Sequence, residues 1–228
     1  RIPSTADVHA ALVLAHADRQ APGLKRSRQA PAAKGSSARI VPSPDNSNAS
    51  WSALTAASML SAATTQEIRI VEVEAYLADG DEAAHGRRGR TPATRPIFMQ
   101  AGTIYVHPMR QRCGVDIVTE GEGRASSVLI RALEPLAGLG IMSARRGTSD
   151  PLSLCSGPAK LCEALGITRA LSGLDLLDDT VALKLLLPDL PLPPTAIVVS
   201  RRVGITRSTD LDLRFSLAGS RSVSSPRP

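Results

Sequence analysis

The chain has 228 residues, 43% of them apolar, and a net charge of +6 with a pI near 9.8. That is enough for one sizeable domain and a tail, and the charge favours an anionic partner, most often nucleic acid. The one long apolar stretch near the start, AALVLAHAD, is broken by His16 and Asp18 and is too short to span a bilayer, so a soluble protein with no membrane partner is expected.

Residues 1–60 read as a disordered arm. DRQAPGLKRSRQAPAAKGSSARIVPSPDNSNAS is rich in Pro, Ala, Ser and basic residues and has no sustained period. Its cluster of Lys25, Arg26 and Arg28 fits a nuclear address, a transit-peptide remnant, a phosphate-binding arm or simply a solvated tail. Patterning starts near residue 66. IRIVEVEAYL predicts a strand over 68–77, on which strict alternation puts Arg69, Val71, Val73, Ala75 and Leu77 on the core face. Ile68, Ile70, Glu72, Glu74 and Tyr76 take the other face, whose end in two acids and a ring suits the wall of a cleft. The string HGRRGRTPATRP over 85–96 carries Arg87, Arg88, Arg90 and Arg95 between glycines; it fits either a phosphate-contacting loop or a solvated charged one. Further strands are predicted near 103–107, 115–119, 126–132, 195–200 and 213–218, with a short helix after CSGP. The sum is a single α+β domain over 66–223 with a mixed, mostly antiparallel sheet and few helices, followed by a tail at 224–228. The three cysteines, Cys113, Cys155 and Cys162, cannot all pair and none has CxxC or Cys/His spacing. They read as reduced thiols of an intracellular protein and supply no metal site. Aromatic residues are only 2% of the chain, so few rings are present to stack on bases.

RIVEVEAYL, DEAAH, GTIYV, SSVLIRALEPL, LCSGPAKLCEALGI, RRVGIT and LRFSLAGS together resemble the alkyladenine (3-methyladenine) DNA glycosylase family, over roughly residues 66 to 223. The resemblance implies that Glu74 is a general base, activating a water that attacks the anomeric carbon of a nucleotide flipped out of the duplex. It implies that Tyr76 and His85 line the pocket for the flipped base. Arg131 would help orient the water and, as a neighbouring cation, lower the pKa of Glu74; the backbone carbonyl of Val203 would be the water's third partner. Glu72 receives no catalytic role and reads as a local ion-pair partner. No cofactor is implied.

Several positions depart from the family pattern. Ala93 and Thr94 stand where the family has an Arg-Asn pair. In YVHPMRQRCGVDIV, His107 takes the place of a second pocket aromatic and Pro108 falls within the strand. Met109 or Arg110 stands where relatives wedge a tyrosine into the minor groove, and Asp116 replaces an asparagine. That aspartate is expected to turn a negative charge toward DNA or the base, which costs affinity. Ser216 and Ser222 also stand where aromatics are usual. The expected function is a monofunctional DNA glycosylase that removes alkylated or deaminated purines of the 3-methyladenine, 7-methylguanine and hypoxanthine class. The other reading is a weak or inactive relative that only binds DNA. The expected partner is double-stranded DNA with damaged purines, bound by a monomer, in the nucleus of a eukaryote or the cytoplasm and nucleoid of a bacterium.

Overall fold

The computed structural model describes residues 58–61, 66–109, 112–178, 180–181, 183–186 and 194–227. The arm expected over 1–60 lies outside the described residues as far as residue 57, as does Arg110. Among the described residues there are eight strands: β1 (Ser58–Ser61), β2 (Gln66–Tyr76), β3 (Ile104–Met109), β4 (Arg112–Val118), β5 (Ser127–Ala137), β6 (Leu183–Leu186), β7 (Ile197–Ser200) and β8 (Arg214–Leu217). They form one sheet in the order β3-β4-β5-β2-β1-β6, with β8 pairing both β2 and β7. Every ladder between these strands is antiparallel. Among the described residues there are three α-helices, α1 (Leu139–Arg146), α2 (Pro151–Leu154) and α3 (Pro158–Leu165); α3 packs on β4 and β5, α2 on β5, and α1 on the other two helices. Local sequence starts and stops them. Asp150 caps α2 by accepting from the Leu152 N–H at 3.1 Å, with Pro151 at the first helical position, and Gly166 ends α3 at φ +69°.

The two faces of the sheet have different tasks. Ile104, Val106, Val115, Ile117, Val128 and Ile130 point into the main core, where they meet Met142, Leu154 and Leu161 from the helices. Their alternates Tyr105, His107, Asp116, Ser127 and Leu129 fall on the opposite face by the two-residue period. That second face carries the site.

Strand β2 does not follow the strict alternation expected of it. Ile68 and Ile70, expected on the cleft face, lie in the main core, as do Val73, Ala75 and Leu77, whose parity is opposite. The cause is a pair of facing bulges in the β2–β5 ladder. Ile70 pairs Leu133 and Glu72 pairs Ala132, leaving Val71 extra; Glu72 pairs Ala132 and Val73 pairs Ile130, leaving Arg131 extra. A bulge shifts the side-chain parity and re-aims a residue. Here one shift keeps both apolar sets inside and turns Val71 to a separate small cluster with Ala132 and Val223. The other takes Arg131 out of the ladder, close to the point where the far edge of β2 changes partner from β1 to β8.

A tight loop fixes the site's rim. The 3-10 turn His85–Arg88 lies so close to the strand end that a Cβ on Gly86 would overlap the Cβ of Ala125, so only glycine lets the turn seat there.

Candidate active site

Glu74 is fully buried on β2, and both of its oxygens are held. Oε1 accepts the Val203 N–H at 2.7 Å; Oε2 accepts the Tyr76 hydroxyl at 3.0 Å and lies 3.2 Å from Arg131 Nη1. The same Nη1 donates to the Val203 carbonyl at 3.2 Å, so one guanidinium nitrogen ties the carboxylate to the loop that carries Val203. Burial raises the pKa of Glu74 and outweighs the lowering by Arg131, the Val203 N–H and Tyr76. The expectation that the neighbouring arginine lowers this pKa thus captures one contribution, but the net direction is up, because a carboxylate removed from water loses more than one cation returns.

Arg131 is itself held from behind. Its Nε donates to Glu72 Oε1 at 3.0 Å, and Nε and Nη2 both reach Ser224 Oγ, at 3.3 and 3.2 Å. Glu72, also with no exposed surface, accepts from Arg214 Nε at 2.7 Å, from the Ser224 N–H at 2.6 Å and from Ser224 Oγ at 2.9 Å. It is an ion-pair partner as expected, but of residues distant in the chain, and it joins Arg131, Arg214 and the residues after 223 into one buried network. Arg214 completes it by donating to the carbonyls of Ser224 and Pro226.

Tyr76, Arg131 and Val203, the partners of Glu74, line a cavity of about 750 Å³ that His85, Tyr105, His107 and Asp116 also line. The Arg202 guanidinium covers one face of the Tyr76 ring at 4.6 Å and is locked by two bonds to Asp81, at 2.6 and 2.8 Å. The imidazole of His85 meets the Tyr105 hydroxyl at 3.1 Å through Nδ1 and sets its edge against His107, centroid to centroid 4.5 Å. The His107 ring stacks on Tyr105 at 5.3 Å.

A profile of the methylpurine-DNA glycosylase family matches residues 53–221. The chain belongs to that family. It is 52% identical over 158 residues to a protein of Methanoculleus marisnigri, covering 68% of this chain and 81% of the relative. It is 47% identical over 163 residues to one of Chlorobium luteolum, with 70% and 81% covered. A protein of Rhodopseudomonas palustris is 46% identical over 163 residues, with 70% and 75% covered. All three bear 3-methyladenine DNA glycosylase in their names.

In this DNA glycosylase the sequence-selected residues Glu74, Arg131 and Val203 meet in one cage, and Tyr76, His85, His107 and Asp116 all line the cavity before it. Asp116 does not turn a bare charge outward. It is 4% exposed, its Oδ1 meets His107 Nε2 at 3.0 Å, and its Oδ2 accepts the Ser127 hydroxyl at 2.7 Å. At the rim, Arg87 and Arg88 line the cavity, and Arg87 pairs with exposed Glu82 at 3.1 Å, a carboxylate shared with Arg207 at 3.3 Å. Arg90 is exposed on the loop beyond the rim. Met109 closes β3, pairs with Arg112 across the hairpin and also lines the cavity. Tyr105, Arg202 and Ser127 joined the site without being singled out in the sequence. Tyr105 had a usable signal, since it shares the parity of His107 two residues on. No helix among the described residues is long and apolar enough to cross a membrane, and none of them form a cluster of three metal-ligating side chains.

The raised pKa of Glu74 carries a pH prediction. With Glu74 as the general base that the resemblance implies, its carboxyl must be ionised, so activity is expected to be lost as the pH falls through a pKa above the ordinary glutamate value. Tyr76→Phe removes a donor that favours the ionised form, so the acid limb should move to still higher pH while the plateau above it survives. Single-turnover rates against pH for both proteins check this; coincident acid limbs would contradict it.

Proposed function

We propose that this glycosylase hydrolyses the N-glycosidic bond of an alkylated or deaminated purine flipped from duplex DNA, leaving an abasic site. One observation carries the reading: a fully buried carboxylate whose two oxygens are held by Val203, Tyr76 and Arg131, residues that themselves line a ring-bearing cavity large enough for a base. Glu74 takes the proton of the attacking water as that water adds to the anomeric carbon and the base leaves. The Arg131 guanidinium and the Val203 backbone fix the direction of the carboxylate, so the water is met at one geometry. Tyr76, His85, Tyr105 and His107 supply the surfaces against which the base packs.

The reading that the chain only binds DNA draws on Met109, which is flexible and lacks a ring to fill the gap a flipped base leaves. The intact cage around Glu74 favours chemistry instead. The test is a duplex with a single hypoxanthine, incubated with the protein and read for abasic sites on a gel. Abasic sites above the protein-free control support the proposal; binding without them supports the other reading. Among the described residues the cavity lining contains no lysine, so borohydride should trap no covalent adduct.

Arg87 and Arg88 on the rim, Arg90 on the loop beyond it, and Met109 in the cavity lining are proposed to face the phosphates and the groove. The log of the binding constant should then fall linearly with log salt, and Arg87→Ala and Arg90→Ala should each flatten the slope by about one unit. An unchanged slope in both variants would assign the loop to bulk solvent.

A further inference from the structure

The His107–Asp116 pair is a feature of this pocket that the hydrolysis step leaves unused. His107 stands on β3 directly opposite Gly114 of β4, and a Cβ at Gly114 would come within 2.9 Å of His107 Cε1 and Nε2. Glycine there lets the imidazole lie across the hairpin and reach Asp116, two residues further along β4. Both residues are buried, at 7% and 4% exposed, and both line the cavity. Asp116 is anchored on its far oxygen by Ser127, so the charge of the pair cannot swing away from the pocket.

We propose that the His107–Asp116 pair selects among purines by charge. With the imidazole neutral, the pair carries one negative charge and favours a purine that ring methylation has made cationic. With the imidazole protonated, the pair is neutral and that preference is lost, while a neutral purine such as hypoxanthine is treated alike in both states. The inference rests on the glycosylase reading above.

The surroundings allow the imidazole to change state. Burial alone pushes His107 down, but the hydrogen bond and charge of Asp116, aided by the Pro108 backbone, carry its pKa above the ordinary histidine value. The other groups facing the pair are few. His85 comes from the turn before β3; burial against the pocket wall, then His107, holds its pKa down. Tyr105 on the same strand is pushed up to about 12, first by burial and then by Asp116, and so stays neutral. Burial also raises Tyr76 across the cavity and the Cys162 thiol behind the sheet, keeping both neutral. The cations are Arg131 in the cavity wall, already tied to Glu72 and Glu74, and Arg88 and Arg169, which act on His85 and Tyr105. None of these changes charge near neutral pH except His85. His85 and the pair are thus the two imidazole elements of the cavity lining that titrate, and the His107→Gln and Asp116→Asn variants separate the pair from His85.

The experiment compares single-turnover release, above the spontaneous rate, of 3-methyladenine, which has no ring N–H to lose and stays cationic, and of hypoxanthine from otherwise identical duplexes, from about pH 6 to about pH 8.5. Titration of Glu74 affects both bases and cancels in the ratio of the two rates. In the wild type the ratio of cationic to neutral base should rise about tenfold across the range, a change that two charges a few ångströms apart in a partly buried site can produce. His107→Gln removes the titrating imidazole, so its ratio should be flat across the range. Asp116→Asn should give a ratio about tenfold below wild type at the alkaline end. A wild-type ratio independent of pH, or variants whose ratios track the wild type, would overturn this inference alone. Release of neither base by the wild type would overturn the glycosylase reading and this inference with it.

Discussion

Glu72→Gln should cost about 3–5 kcal/mol of folding stability, although the residue faces no substrate. The carboxylate has no exposed surface and stands between the side chains of Arg131 and Arg214, 3.0 and 2.7 Å away. The amide removes the only negative charge in contact with Arg214 among the described residues and leaves its guanidinium buried without a counter-charge. It also places an NH2 among groups that all donate: two guanidinium nitrogens and the Ser224 N–H. For a domain of this size the loss corresponds to a drop in melting temperature on the order of 10 °C. Urea unfolding of the two proteins checks it, and a midpoint equal to wild type would mean that the network relaxes around a neutral residue at no cost.

Glu74→Gln should lower base release by about 10²–10⁴ while DNA binding stays close to wild type. The amide cannot take the proton of a water. It also fits the cage poorly. Its oxygen can accept the Val203 N–H, and Tyr76 can rotate its hydroxyl to accept from the NH2, but Arg131 Nη1, 3.2 Å from the present Oε2, then faces a donor. Arg131 keeps Glu72 and the Val203 carbonyl as partners, so the fold should tolerate the change better than it tolerates Glu72→Gln. Binding is read from gel mobility at one salt concentration and release from the same samples. Loss of both in parallel would point to a damaged fold in place of a missing base.

The residues with local signals were legible in the sequence. Glu74, Tyr76 and His85 sit in strings whose order and spacing resemble the family, and the α+β class with an antiparallel sheet followed from strand-length patterns split by glycine and proline. What escaped depends on register or on distant pairing. Period-two reading assigned Ile68 and Ile70 to the cleft because nothing in RIVEVE marks a bulge at Val71, and the facing bulge that releases Arg131 from the ladder is equally silent. Glu72 could be read as ion-paired, but its partners Arg214 and Ser224 lie 142 and 152 residues away, where spacing has no meaning. Asp116 read as a charge turned toward DNA or the base because its hydrogen-bond partner, His107, is set by the hairpin register of β3 on β4. The four-residue strands β1 and β6 are too short to show a period at all.

The most direct test of the central claim is to count free hypoxanthine and abasic sites together, from one duplex under single-turnover conditions, with wild type and Glu74→Gln side by side. Hydrolysis by a Glu74-activated water predicts one abasic site for each base released by the wild type, and a variant that binds the duplex yet releases base about 10²–10⁴ more slowly. Release by the Gln variant at the wild-type rate would contradict it.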